Sequence, residues 1–181
     1  MPDLPAIRPE QSVSAPASAK PDSPFPAQGS EASKGSLRMC VLSLGGELFA
    51  IDLHNIREVF EVESVTAVPG MPSMLTGVTN LRGTVIPLLD LRASLGLEVT
   101  ETALSFAVVI RQGTRQVGIF VDHVPEIRSV PREDLLPAMQ SGPAGARPFV
   151  SSVLRLEDRL GGVLEVPQVF AQVDGGGISA V

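Results

Sequence analysis

From residue 37 onward the chain is a series of short apolar runs cut by turn residues, at the spacing of strands rather than helices. Met39 to Leu44 and Leu48 to Leu53 flank Gly45-Gly46, a two-residue hairpin signal. In the second run Phe49, Ile51 and Leu53 alternate with Ala50 and Asp52, so one face is apolar. Ile56, Val59 and Phe60 continue the apolar series, with Arg57, Glu58 and Glu61 between them. Thr84 to Leu91 is nearly all aliphatic and predicts a buried strand. Phe106 to Ile110 with Gln116 to Val121, and Phe149 to Leu156 with Leu160 to Val166, predict two further hairpins.

Helical signals are few and short. Pro69-Gly70 marks a turn, and Ser73 to Val78 predicts a helical turn after Pro72. Arg92 to Gly96 and Pro131 to Leu135 each predict one more, and Pro167 to Phe170 a short terminal helix. Ala138 to Pro148, with two glycines and two prolines, predicts a loop. The fold class is therefore mainly β, a barrel or sandwich of short strands. Residues 1–36 hold 7 Pro, 6 Ala and 7 Ser without any period, the composition of a disordered tail. Residues 174–181, with three consecutive glycines, predict a flexible end.

Composition narrows the function. A net charge of −6, with 4% aromatics and neither Trp nor Tyr, lacks the basic face and stacking platforms of a nucleic-acid binder. No apolar run approaches the roughly 20 residues of a membrane span, and no basic segment leads into an apolar one near the N-terminus. The expected compartment is the cytoplasm, with no direct membrane insertion. Cys40, the single cysteine, lies in a strand-like run and reads as a buried structural thiol.

Catalytic patterns are missing. The sequence has no phosphate-binding glycine loop and no nucleophile elbow. His54 and His123 stand outside any metal-ligand spacing, so neither metal nor cofactor is expected. Asp90 and Asp122 each follow an apolar strand. Anchoring a turn through backbone N–H groups is the favoured reading, and acid–base work with a histidine the rival one. Arg82 differs from these. It stands between Leu81 and Gly83, just before the buried strand, in a turn that holds it in place while leaving it in water.

The run from Gly77 to Arg92, with Asn80, Arg82, Gly83 and Asp90 inside it, resembles the signature of the CheW family of chemotaxis coupling proteins. Gly46 to Asp52, Ile56 to Val59, Val68 to Pro72 and Val117 to Val124 fall around it in the family's order, and the resemblance spans about residues 37–173. It implies two small five-stranded SH3-like barrels packed together. The first would use about residues 37–83 plus the C-terminal segment, and the second about 84–166. It also implies a non-enzymatic adaptor that joins chemoreceptor tips to the regulatory domain of a histidine autokinase. The receptor groove would comprise Ile56, Glu58, Val59, Val65 and Arg82, while Gly77, Asn80, Gly83 and Asp90 would shape the turn and strand behind it. An adaptor for pilus motility or gene control is the rival within the same class. Phe49, Glu165 and Pro167 depart from the family's usual residues.

Overall fold

A computed structural model describes residues 35–99, 105–137 and 147–175. The expected tail, apart from residues 35 and 36, lies outside them, as do most of the 138–148 loop and the end beyond 175. The chain begins with the antiparallel hairpin β1 (Ser36–Leu44) and β2 (Glu47–Asp52). A 3-10 turn at Leu53–Asn55 leads into β3 (Ile56–Glu61). Next come β4 (Leu75–Leu81), β5 (Thr84–Leu89), β6 (Phe106–Gln112) and β7 (Arg115–Val121). Strands β8 (Glu126–Pro131), β9 (Leu135–Pro137), β10 (Val150–Leu156) and β11 (Arg159–Leu164) follow, and helix α1 (Val166–Gly175) closes the described chain.

These strands form two sheets, in the orders β8-β1-β2-β11-β10-β9 and β3-β6-β7-β5-β4. The expected division at residue 83 does not hold. β3 and β4 lie in the second sheet, and β8 to β11 join β1 and β2 in the first. Strand exchange is the cause: β3 leaves the β1–β2 hairpin to pair with β6, and β8 leaves the β6–β7 hairpin to pair with β1.

The sheets share one topology. β1-β2-β3 corresponds to β6-β7-β8, and the β4–β5 hairpin to β10–β11. In both hairpins the register shifts after the first residue, at Leu75/Gly77 and at Val150/Ser152. Where β9 pairs Leu136 with Val153, the second sheet has a single bridge, Thr66 to Val78. Each sheet is thus a five-stranded barrel with a minor sixth position.

The two sheets meet in a shared core. Leu42, Phe49 and Ile51 of the first pack with Leu89, Val108, Ile110 and Val117 of the second, and α1 adds Val166, Val169, Phe170 and Val173. Pro167 sits in the first turn of α1, where a missing N–H breaks no helical bond. Asp174 and Gly175 belong to this helix rather than to a flexible end. Arg115 fastens it by pairing with Asp174 and stacking 4.9 Å over the Phe170 ring. Cys40 is buried, and burial pushes its thiol up to about 11.

One further expectation changes, and two strands were not expected at all. Ser73 to Val78 is not helical: a turn closed by Leu75 N–H donating to the Pro72 carbonyl opens directly into β4. Leu75, Gly77 and Thr79 then alternate inward at the period of a strand. β8 and β9 were not legible, because the four residues Glu126 to Ser129 are all exposed and β9 is three residues long.

Candidate functional site

The β4–β5 hairpin is built around Arg82. Arg82 and Gly83 form a two-residue turn with φ of 51° and 85°, the type I′ geometry that matches strand twist. Gly83 adopts this at no steric cost, whereas Arg82 is strained. Asn80 stabilises the turn, its Oδ1 accepting the Gly83 N–H at 2.8 Å. Gly77 is required by close approach, since a Cβ there would lie 2.5 Å from the Thr66 carbonyl oxygen and against Val65.

The Arg82 side chain is 82% exposed and its Nη1 lies 3.3 Å from Glu58 Oε2. Arg57 Nε lies 3.6 Å from the other oxygen of Glu58. One carboxylate between two arginines leaves a local positive excess. Together with Leu81, Thr84, Ile86 and Gln116 these residues line a pocket of about 100 Å³. An exposed pair of this kind contributes ~0–1 kcal/mol to stability.

The other expected groove residues are placed differently. Glu58 and Phe60 point to one face of β3 while Val59 and Glu61 point to the other, and a bulge between Ile56 and Glu58 turns Ile56 toward the shared core. Val59 and Val65 are exposed aliphatics outside the small pocket, and Ile56 packs against the shared core. The structure therefore brings Glu58 and Arg82 together, adds Arg57 and Gln116 to them, and sets Val59 on the reverse face of the strand. Gln116 carries no signal in the sequence, because only the pairing of β7 beside β5 brings it there.

The aspartates are turn anchors. Asp90 holds the buried Arg92, whose Nη2 donates to Oδ2 at 2.7 Å and whose backbone N–H donates to Oδ1 at 3.0 Å. Burial pushes the Asp90 carboxyl up, but the Arg92 hydrogen bonds and charge outweigh it and hold it below the ordinary range. Asp122, at the end of β7, accepts from Ser43 Oγ and from the Gly45 and Gly46 N–H groups, clamping the β1–β2 turn. His54 lies beside Asp52, its Nδ1 2.8 Å from Oδ1, and is almost fully exposed. Neither histidine hydrogen-bonds to Asp90 or Asp122 among the described residues, so the acid–base reading is set aside.

Two predictions follow from these turns. Arg82→Asn, a residue suited to the first I′ position, raises the unfolding midpoint by about 1–3 °C, since relief of αL strain is worth ~0.5–1 kcal/mol. An unchanged or lower midpoint in thermal unfolding would show that the arginine is not strained there. Asp90 has a lowered folded pKa, so its contribution is present above the unfolded value of about 3.9 and is lost as pH falls through the folded one. Below about pH 4, melting curves of Asp90→Asn lose less stability than those of the wild type; parallel losses would remove Asp90 from the acid response.

Paired barrels whose part-buried aspartates anchor turns and whose hairpin presents an exposed arginine have the form of a scaffold rather than of a catalyst. The match to the CheW-like domain family runs over residues 38–174, and the chain belongs to that family. It is a non-enzymatic adaptor of chemotaxis signal transduction. A probable chemotaxis protein CheW of Rhizobium etli is 28% identical over 142 residues, covering 78% of this chain and 92% of that one. The chemotaxis protein CheW of Klebsiella aerogenes is 32% identical over 123 residues, covering 66% and 73%. The fold is similar to the crystal structure of the scaffolding protein TtCheW from Thermoanaerobacter tengcongensis, with a TM-score of 0.64, 24% identity, and coverage of 72% and 89%.

Proposed function

We propose that the face around Arg82 and Glu58 docks the cytoplasmic tip of a chemoreceptor, and that a second surface holds the regulatory domain of a histidine autokinase. The observation that carries this reading is Arg82 itself. Its backbone is strained, its side chain is exposed to water, and its ion-pair partner Glu58 sits on β3, at the far edge of the sheet from β4. Strain kept at an exposed charge marks a residue placed for a partner rather than for the fold. Exposed Val59 and Val65 supply apolar contact nearby, which suits the end of a helical hairpin.

Receptor state would reach the kinase through contacts that differ between two arrangements of the assembly. The working place is the cytoplasm, at receptor arrays on the inner face of the membrane. No helix among the described residues is long and apolar enough to cross a membrane, which fits a protein recruited by its partners. Affinity capture from the source cells tests the reading: receptors and a histidine kinase come down together with the wild-type chain. Capture of neither would overturn it.

A further inference from the structure

The shared topology of the two sheets gives the Arg82 pocket a counterpart. Leu81, Arg82 and Thr84 of the β4–β5 hairpin correspond to Leu156, Glu157 and Arg159 of β10–β11. Glu58, opposite Val109, corresponds to Glu126, opposite Val41, and Gln116 on β7 corresponds to Leu48 on β2. Arg82 and Glu157 even share the same φ of 51°. All five counterparts line one cavity, at the mouth of the first barrel.

This second mouth differs from the first in two ways. It is hollow, at about 620 Å³ against about 100 Å³. Ile86 fills the first mouth, whereas its counterpart Gly161 offers no side chain, held to glycine by the Leu48 carbonyl 3.0 Å from where a Cβ would stand. Its charge is also inverted. The turn presents Glu157, with an 83% exposed side chain, where the other presents Arg82. Arg128 stands where Phe60 plugs the second barrel, and bridges Glu126 at 3.0 Å to Glu157 at 3.3 Å. With Asp158 at the turn tip and Arg159 beside it, three carboxylates face two guanidinium groups.

We infer that this mouth is a second docking site, for a protein segment carrying a basic side chain beside an aliphatic one. The carboxylate excess at the rim recruits the cation, and Glu157 Oε2 is clear of the Arg128 contact. Val124, 59% exposed, and the half-buried Leu48 and Leu156 form the apolar part of the wall. The first pocket, with its positive excess, selects the opposite charge, so the two mouths sort their partners by sign. The second site rests on the duplicated geometry and not on the receptor reading of the first.

Nuclear magnetic resonance on the full ¹⁵N-labelled chain tests it with two probes, the capped tetrapeptide Val-Leu-Arg-Val and its glutamate counterpart Val-Leu-Glu-Val. The arginine peptide shifts the amides of Leu48, Val124, Leu156 and Glu157 saturably, and the glutamate peptide does not. Glu157→Arg weakens the arginine peptide at least about tenfold, as like charges then meet. That variant keeps its fold, because Arg82 already occupies the equivalent turn position. Val124→Ser, an uncharged change at an exposed site that removes apolar wall, also weakens binding. No saturable shift at the mouth, a shift indifferent to Glu157→Arg, or one that follows protein concentration alone and so reports a second copy, would each overturn the inference. No receptor enters the test, so its failure leaves the Arg82 reading standing.

Discussion

Arg82→Glu unfolds within about 2 °C of the wild type and loses receptor-tip binding by at least ~30-fold. Stability is spared for two reasons. The Arg82–Glu58 pair is exposed and worth ~0–1 kcal/mol. The chain also already carries a glutamate at the same turn position with the same φ, at Glu157. Binding is lost because an arginine at the centre of an interface contributes ~2 kcal/mol or more, and 1.4 kcal/mol is about tenfold in affinity. A second carboxylate beside Glu58 then adds repulsion. The measurement is pull-down with receptor tips and with kinase, beside melting curves. The swap of both charges, Glu58→Arg with Arg82→Glu, recovers part of the binding if the pair mainly orders the groove, and none if the receptor touches Arg82 directly. Wild-type binding by Arg82→Glu would remove this face from the proposal. A large fall in its midpoint would make the arginine structural.

Ile86→Asp gives a chain without a cooperative unfolding transition. Ile86 is 2% exposed in β5, opposite Thr79, and its side chain fills the barrel mouth beneath Glu58 and Arg82. Removing it costs ~2–5 kcal/mol, and an unpaired carboxylate there adds several more. The sum rivals the ~5–15 kcal/mol that holds a typical domain together. Ile86→Val is the control, expected to cost ~0.5–1.5 kcal/mol and leave the transition sharp. Circular dichroism through a thermal ramp reads both. A soluble Ile86→Asp chain with a sharp transition would mean that the inward face of β5 is misassigned.

The strands legible in the sequence are those whose own residues carry the period. β1, β2, β5, β6, β7, β10 and β11 are aliphatic on at least one face, and Gly45-Gly46 and Gln112-Gly113-Thr114 mark turns between them. β8 was hidden because Val130 is its one buried residue and Glu126 to Ser129 carry no apolar period, so its strand character comes from pairing with β1. The sheet boundary was hidden for the same physical reason: which strand β3 pairs with is decided by contacts far along the chain. The duplication left little trace, because packing tolerates exchanges such as Phe49 for Val117 or Leu42 for Ile110 at matched core positions. At the candidate site, the glycine after Arg82 was readable as a turn. The positive φ of Arg82, the reversal of Val59 and the arrival of Gln116 follow from register, which no local pattern encodes.

The exchange of β3 and β8 also sets an order of events on the ribosome. Every strand of the second sheet lies between Ile56 and Val121, so that sheet can close once β7 has emerged. The first sheet takes β1 and β2 from the start of the fold and waits for β8 to β11 from its end. During that interval Met39, Val41 and Ala50 have none of their late partners, Val130 and Leu154 among them. The nascent N-terminal hairpin is thus the part of this adaptor most open to chaperones and to mispairing, and the last strands to leave the tunnel are the ones that relieve it.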